Sequence, residues 1–390
     1  MTNRDHVRLR FKRWLANRVL VICLFGTLSF VAAPCDASDI LSEISSAKTD
    51  MEGSRGLFKR DSRFVIVPIP KSDPTIGTGM ALAGIYMHPK REENPEAPTS
   101  LSGVFGMYTD TDSWAIGVGH DGFYSGDKYR IRAILAYAEF NLSFYGIGND
   151  AILRDRPVDY KAEATAFLPR FLLRLPLENW FFGPRYVYVR VDNTFDLSSL
   201  LPILPEIEVP TETAGLGLVA MYDSRNNNLW PSDGAWLELT ATDYGDHFGG
   251  DFEYRKLILK WAQYFPLTEK ITLTYRLDGQ FIDGNAPFYD LSSIRLRGFP
   301  GGLYRDDAAI TAQVEGRWNF YGNWTGLLFG GGGRIGEALD DLGSGPTHYA
   351  GGAGIRYMIA KDQKLSVGVD MTYGDDEIEF YVQIGDWLAN

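Results

Sequence analysis

The side chains best placed to do chemistry in this chain of 390 residues are charged rather than nucleophilic. The stretch SSIRLRGFPGGLYRD, residues 292–306, sets Arg295, Arg297 and Arg305 among Gly298, Gly301 and Gly302. A guanidinium is planar, permanently charged and able to grip one carboxylate with two parallel bonds, so out of water it requires a fixed acceptor. Glu315 and Asp370 are the candidate acceptors, because alternation puts each on the polar face of a strand-like segment. The glycines let a backbone turn sharply and approach a wall. A flexible surface loop with solvated arginines has the same composition, so both readings stand on the residues alone.

Catalysis finds little support. There is no Gly-x-Ser-x-Gly elbow. Beyond the N-terminal region the histidines are His88, His120, His247 and His348, well scattered; His120, in GVGHDG, reads as lining or rimming a lumen. Asp306 and Asp307 are adjacent, and neighbours on a strand point opposite ways, so they make a poor acid–base pair. GGGGRIG, residues 330–336, lacks the Lys-Ser/Thr of a phosphate loop and reads as a smooth wall where another element, the 292–306 loop above all, packs closely. No zinc or dinucleotide motif occurs, so neither an enzyme nor a cofactor or metal is expected.

The elements that must position these groups are strands. Forty-two glycines, 21 tyrosines and 23 phenylalanines without a persistent helical period point to an all-β protein. A net charge of −12 argues against a nucleic-acid partner. The first 37 residues read as a signal peptide: six basic side chains from Arg4 to Arg18, the apolar core VLVICLFGTLSFVAA, and small residues with cleavage expected after Ala37. That core is short of the roughly 20 residues a spanning helix needs. Cys23 and Cys35 leave with it, removing any disulfide or cysteine metal site. The remainder carries 32 basic and 48 acidic side chains. Residues 38–60 are expected to be a short periplasmic segment, and 61–390 the barrel domain.

Sixteen strand-like segments follow, at 63–69, 75–87, 101–109, 112–122, 126–144, 158–175, 178–192, 210–224, 233–242, 250–264, 269–280, 307–318, 322–333, 347–358, 363–373 and 378–388. In KITLTYRLDG, Ile271, Leu273, Tyr275 and Leu277 share one face, and Thr272, Thr274, Arg276 and Asp278 the other. Many segments reach ten residues, near the ~9–11 that a tilted strand needs to cross a bilayer. Their polar faces suit a wet lumen, and a membrane sheet must close so that no edge amide faces lipid. The expected fold is therefore an all-β, 16-stranded antiparallel transmembrane β-barrel of outer-membrane type. Trp180, Phe181, Phe182, Trp236 and Trp387 are candidates for its aromatic girdles. With both ends periplasmic, the loops at 193–209 and 281–306 are extracellular.

At this point a family resemblance enters. IRLRGFPGGLYRDDAAITAQVEGRW, residues 294–318, resembles the sixth extracellular loop and following strand of the BamA/TamA-like bacterial surface antigen superfamily, with Arg297, Gly298 and Phe299 matching its Arg-Gly-Phe/Tyr motif. Gln313, Glu315 and Arg317 match the downstream Gln-x-Glu-x-Arg. YDSRNNNLWPSDG is similar to the family's periplasmic-turn signature through Tyr222, Asp223, Arg225, Asn227, Pro231 and Gly234, while PIPKSDPTIGTG and FYGIGN (144–149) are also typical. The resemblance covers about residues 60–388 and implies that the loop folds back into the lumen with its arginine held by acidic and aromatic groups. The chain departs from the family at Gly331, which stands where a Phe-x-Asp-x-Gly aspartate helps anchor the loop, and in ending DWLAN rather than on an aromatic.

The resemblance further implies a Gram-negative outer-membrane location and a role in outer-membrane protein assembly or translocation. The ~23 residues before the first strand are too few for a client-gathering POTRA domain of ~75, so a POTRA-bearing or periplasmic partner is the expected complement. Outer-membrane lipid and lipopolysaccharide are expected neighbours, and a monomer is the default. The alternatives are a passive or loop-gated channel, a structural barrel, and an outer-membrane enzyme.

Overall fold

The computed structural model describes residues 64–73, 75–89, 100–151, 153–196, 207–227, 230–360, 365–375, 377–384, 386 and 388. The expected signal peptide, the 38–60 segment and Trp387 lie outside them. The chain falls into two units, Met1–Phe30 and Val31–Asn390, and every described residue belongs to the second.

Among the described residues nineteen strands follow in order. They are β1 (Phe64–Asp73), β2 (Gly77–Met87), β3 (Leu101–Thr109), β4 (Trp114–Tyr124), β5 (Tyr129–Phe144), β6 (Val158–Phe167), β7 (Arg170–Arg174), β8 (Trp180–Phe195) and β9 (Ile207–Asp223). The second half holds β10 (Gly234–Tyr244), β11 (Tyr254–Thr268), β12 (Ile271–Gly284), β13 (Ser292–Ser293), β14 (Arg305–Asp306), β15 (Ala308–Tyr321), β16 (Trp324–Gly336), β17 (His348–Ala360), β18 (Leu365–Gly374) and β19 (Glu377–Ile384). All recorded pairings are antiparallel. No described helix is long and apolar enough to cross a membrane.

The expectation of a regular closed barrel of sixteen strands is corrected here. The large sheet holds seventeen strands, because the segment expected at 158–175 breaks into β6 and β7. Pro169 lies in the gap and has no N–H to give a ladder. β5 and β8 each pair with both halves, so β5–β6–β8–β7 form a closed circuit of four, with the remaining strands bonded outside it. The last strand meets the first at a single described pair, Ser72↔Val382, whereas β1 and β2 share a continuous ladder from Phe64↔Tyr86 to Asp73↔Gly77. The two-residue pair β13–β14 is a separate hairpin within the long loop.

The burial pattern is inverted relative to a water-soluble sheet. Along β15, Val314 and Trp318 are about half exposed, while Glu315 and Arg317 between them are buried. β12 repeats this, with Leu277 outward and Thr274, Arg276 and Asp278 inward, and so does β18, with Val369 and Met371 outward against Asp370 and Thr372. An apolar face left open and a polar face enclosed suit a sheet whose outside meets hydrocarbon. The girdle expectation holds less well: Phe181 and Trp236 turn inward and pack with Leu172, Met221 and Tyr264.

Candidate functional site

The site forms on the inner face, where the loop between β12 and β15 lies against β15–β19. Its apolar residues Ile294, Leu296, Phe299, Leu303 and Tyr304 cluster with Ala309, Ile335 and Ala350 of the wall. The glycine run of β16 makes room for them. A Cβ on Gly331 would lie 2.8 Å from Leu296 Cδ2, and one on Gly333 would lie 2.7 Å from Ile294 Cγ2. Gly298 turns the chain at φ 112°, a left-handed conformation that disfavours any side chain.

Arg297 is 2% exposed and donates in two directions, to Asp370 Oδ2 on β18 at 2.9 Å and to Glu315 Oε2 on β15 at 2.5 Å. Its guanidinium lies 3.6 Å from the centroid of the Phe329 ring. Glu315 in turn accepts from Arg317 Nε at 2.7 Å, and Arg317 pairs with Asp386 at 2.5 Å. On the other side, Arg356 grips both oxygens of Asp370, at 2.6 and 2.8 Å. Three arginines and three carboxylates thus form one buried chain, balanced in charge, as burial of ions demands.

The family-like residues gather at two places. Beside Arg297, the Gly298 amide donates to Tyr381 Oη at 2.9 Å, the Gly301 amide to Thr75 Oγ1 at 2.6 Å, and Gln313 Nε2 to the Arg295 carbonyl at 2.9 Å. Phe299 packs edge-on to Tyr304. The turn signature sits apart from these contacts. Asp223 holds Arg225 through Nε and Nη2, and Asn227 Oδ1 accepts from the Trp230 amide. Gly234 takes φ 96°, and Tyr222 meets Trp180. Arg317 joins the two groups by donating to the Pro231 carbonyl at 3.0 Å.

Sequence reasoning missed Arg356, Phe329, Tyr381, Asp386 and Thr75. One signal was present: Gly354 faces Asp370 across the ladder, and a Cβ there would sit 1.9 Å from Asp370 Oδ1, so glycine makes space for the ion pair. The gap at Gly331 is filled from elsewhere, since Asp370 on β18 supplies a carboxylate to Arg297. Arg305, by contrast, has carbonyl acceptors, Gly302 O at 2.7 Å and Phe288 O at 3.2 Å, and burial lowers it to about 10.

At the loop's far end, burial and then the adjacent Asp306 charge raise the Asp307 carboxyl to about 6. A carboxyl raised above its unfolded value of ~3.9 favours the folded loop below that pH, and the benefit is lost as pH rises through about 6. The loop is thus expected to sit more firmly at pH 5 than at pH 7.5, seen as quieter single-channel current. Asp307→Asn should flatten that difference; an unchanged pH response in the variant counts against this assignment.

Among the described residues no group of three or more His, Cys, Asp or Glu side chains could hold a metal ion. His120, expected to line or rim the lumen, instead lies on the outer face with Val118 and Ile116.

The Omp85 superfamily domain matches residues 186–299. No curated protein sequence matches the chain. Among solved structures, BamA from Haemophilus ducreyi lacking POTRA domains 1–3 is similar at TM-score 0.56 and 14% identity, over 84% of this chain and 71% of that one. CdiB from Acinetobacter baumannii is similar at TM-score 0.53 and 13% identity, over 82% of this chain and 59% of that one. CdiB from Escherichia coli gives TM-score 0.56 and 13% identity, over 82% and 61%. The chain therefore spans less than two thirds of the CdiB chains, and identities this low speak for the fold alone. The sequence likeness is thus to the Omp85 superfamily domain over residues 186–299, and the fold is similar to that of these BamA and CdiB structures.

Proposed function

We propose that this chain inserts or translocates polypeptides at the Gram-negative outer membrane, releasing or admitting the client at the seam between β1 and β19. The observation that carries this reading is the seam itself, one described residue pair wide in a sheet whose other neighbours, the short strand β7 aside, share long ladders. Each unpaired ladder position offers backbone groups that a client strand can take up. Residues 1–37 act as an export signal in this reading and 38–60 as a periplasmic lead-in to the barrel domain. Lipid and lipopolysaccharide surround a monomeric barrel, and a POTRA-bearing or periplasmic partner presents the client.

A loop-gated channel is the second reading, favoured by the way the loop crosses the inner face on Arg297. One experiment separates them. Ser72 and Val382 are register partners, and antiparallel partners stand about 4.5–5.5 Å apart at Cα, within disulfide range. With Ser72→Cys and Val382→Cys both present and oxidised, the rate at which a small β-barrel client folds into vesicles should fall to that of protein-free vesicles and recover on reduction. Folding at the wild-type rate with the bond formed excludes seam opening. Conductance unchanged by the bond is expected of the channel in either case.

A further inference from the structure

On the outer face, near the ends of β2, β3 and β4, four polar side chains form a line. His88 Nε2 bonds Ser102 Oγ at 2.9 Å, Ser102 Oγ bonds His120 Nδ1 at 2.9 Å, and His120 Nε2 bonds Tyr124 Oη at 2.8 Å. The neighbours on this face are apolar and exposed: Val104, Val118, Leu82 and Leu135. A polar chain is costly in hydrocarbon unless it is satisfied, and this one satisfies itself along its length. When His120 Nδ1 takes the Ser102 proton, its Nε2–H faces the Tyr124 oxygen, and the Tyr124 proton points to whatever lies against the surface. Tyr124 pairs across the ladder with Tyr129, whose ring carries the Lys128 ammonium 5.4 Å from its centroid. A hydroxyl donor, two imidazoles and a cation therefore converge at one end of an apolar surface.

That surface is hollowed. A groove of about 450 Å³ runs from Phe64 and Gly84 past Val104 and Val118 to Leu135 and Phe167, with Ser102 and His120 in its wall. Gly84 keeps it open, since a Cβ there would press on the Phe64 ring at 3.1 Å and Val104 Cγ2 at 3.3 Å. The shape matches a ligand with an anionic head and aliphatic tails.

We propose that His88, Ser102, His120 and Tyr124 bind the phosphodiester of a glycerophospholipid whose acyl chain lies in this groove. The line stands beside the turn joining β4 to β5, on the side opposite the long β12–β15 loop, which is the periplasmic side under the function proposed above. The inference rests on that reading for its leaflet, where phospholipid rather than lipopolysaccharide is the anionic lipid. A phosphate oxygen takes its bond from the Tyr124 hydroxyl, which the line from His88 through Ser102 and His120 orients, and Lys128 supplies charge. The apolar wall takes the tail.

Native mass spectrometry of the folded chain released from micelles tests this, using dioleoylphosphatidylglycerol and, as a phosphate-free match, dioleoylglycerol. The wild type is expected to retain one phosphatidylglycerol and little dioleoylglycerol. His120→Ala, which leaves the Tyr124 hydroxyl unoriented, should lower retention by up to about tenfold, the scale of the hydrogen bond to a charged group that Tyr124 then makes poorly. Tyr124→Phe, which removes one surface hydroxyl and leaves the ring, should lower it in the same direction even if His120→Ala folds poorly. Equal retention of the two lipids reduces the groove to an apolar surface and overturns the proposal. So does equal retention by wild type and Tyr124→Phe, or displacement of phosphatidylglycerol by lipid A. Protease protection in vesicles is read separately. A chain that inserts without lipid preference loses only this site, whereas one that fails to insert loses the membrane reading as well.

Discussion

Arg297→Ala is expected to turn a steady, low-conductance protein into a noisy, high-conductance one, and to lower its stability by about 3–5 kcal/mol, the usual cost of stripping one partner from a buried ion pair. The variant leaves Glu315 and Asp370 facing each other without the cation that both touch, at 2.5 and 2.9 Å. It also empties the space over Phe329 and frees the loop backbone between Leu296 and Gly298. Planar-bilayer recording of refolded protein reads the first effect, and the urea midpoint reads the second. Arg297→Lys should fall between the two, because a single ammonium cannot hold two carboxylates with the fork of a guanidinium. Large conductance in both wild type and Arg297→Ala would show that the loop does not obstruct the path and would remove its anchoring from the mechanism.

Gly331→Asp, which introduces the aspartate that the family resemblance implies at this position, is expected to unseat the loop rather than tighten it. A Cβ at 331 would stand 2.4 Å from the Ala312 carbonyl oxygen, a backbone atom, and 2.8 Å from Leu296 Cδ2. Gly331→Ala should already cost about 1–3 kcal/mol, as overpacking does. The aspartate adds a fourth carboxylate to a network in which three arginines balance three, so its loss should be larger still. Urea midpoints in the order wild type, alanine, aspartate are the expected result. A higher midpoint for the aspartate variant would mean that it reaches Arg297 after all, and that the wall can yield.

Much of the architecture was readable in advance because alternation has a period that lipid enforces. Each of the sixteen segments contains or overlaps an observed strand, and the faces assigned to Ile271–Asp278 and to Ser366–Tyr373 point as their chemistry demands. The break at Pro169 was written in the sequence but hidden inside a long apolar run, where FLPRFLLR reads as one strand. The seam was not legible, since the number of pairs between β1 and β19 depends on register and curvature that no local pattern carries. Arg297, Glu315 and Asp370 were visible by type and spacing; Arg356 and Asp386 were not, because Arg356 meets Asp370 only through the β17–β18 register and Asp386 reaches Arg317 from past the end of β19. Aromatics misled for a related reason: Phe181 and Trp236 have the composition of a girdle and the placement of a core.

The chain of charges has a mechanical side. It runs from Asp370 through Arg297, Glu315 and Arg317 to Asp386, and Leu388 is held nearby by Arg276. Its far end is the segment that leaves β19, the strand at the seam. A chain of short ion pairs shifts only when every member shifts, so the loop and Asp386 behave as two ends of one lever. A strand β19 drawn away from β1 pulls on Asp386, Arg317 must follow or let go, and the wall's grip on Arg297 loosens in the same stroke. Opening the side of the sheet and releasing its interior thereby become a single movement.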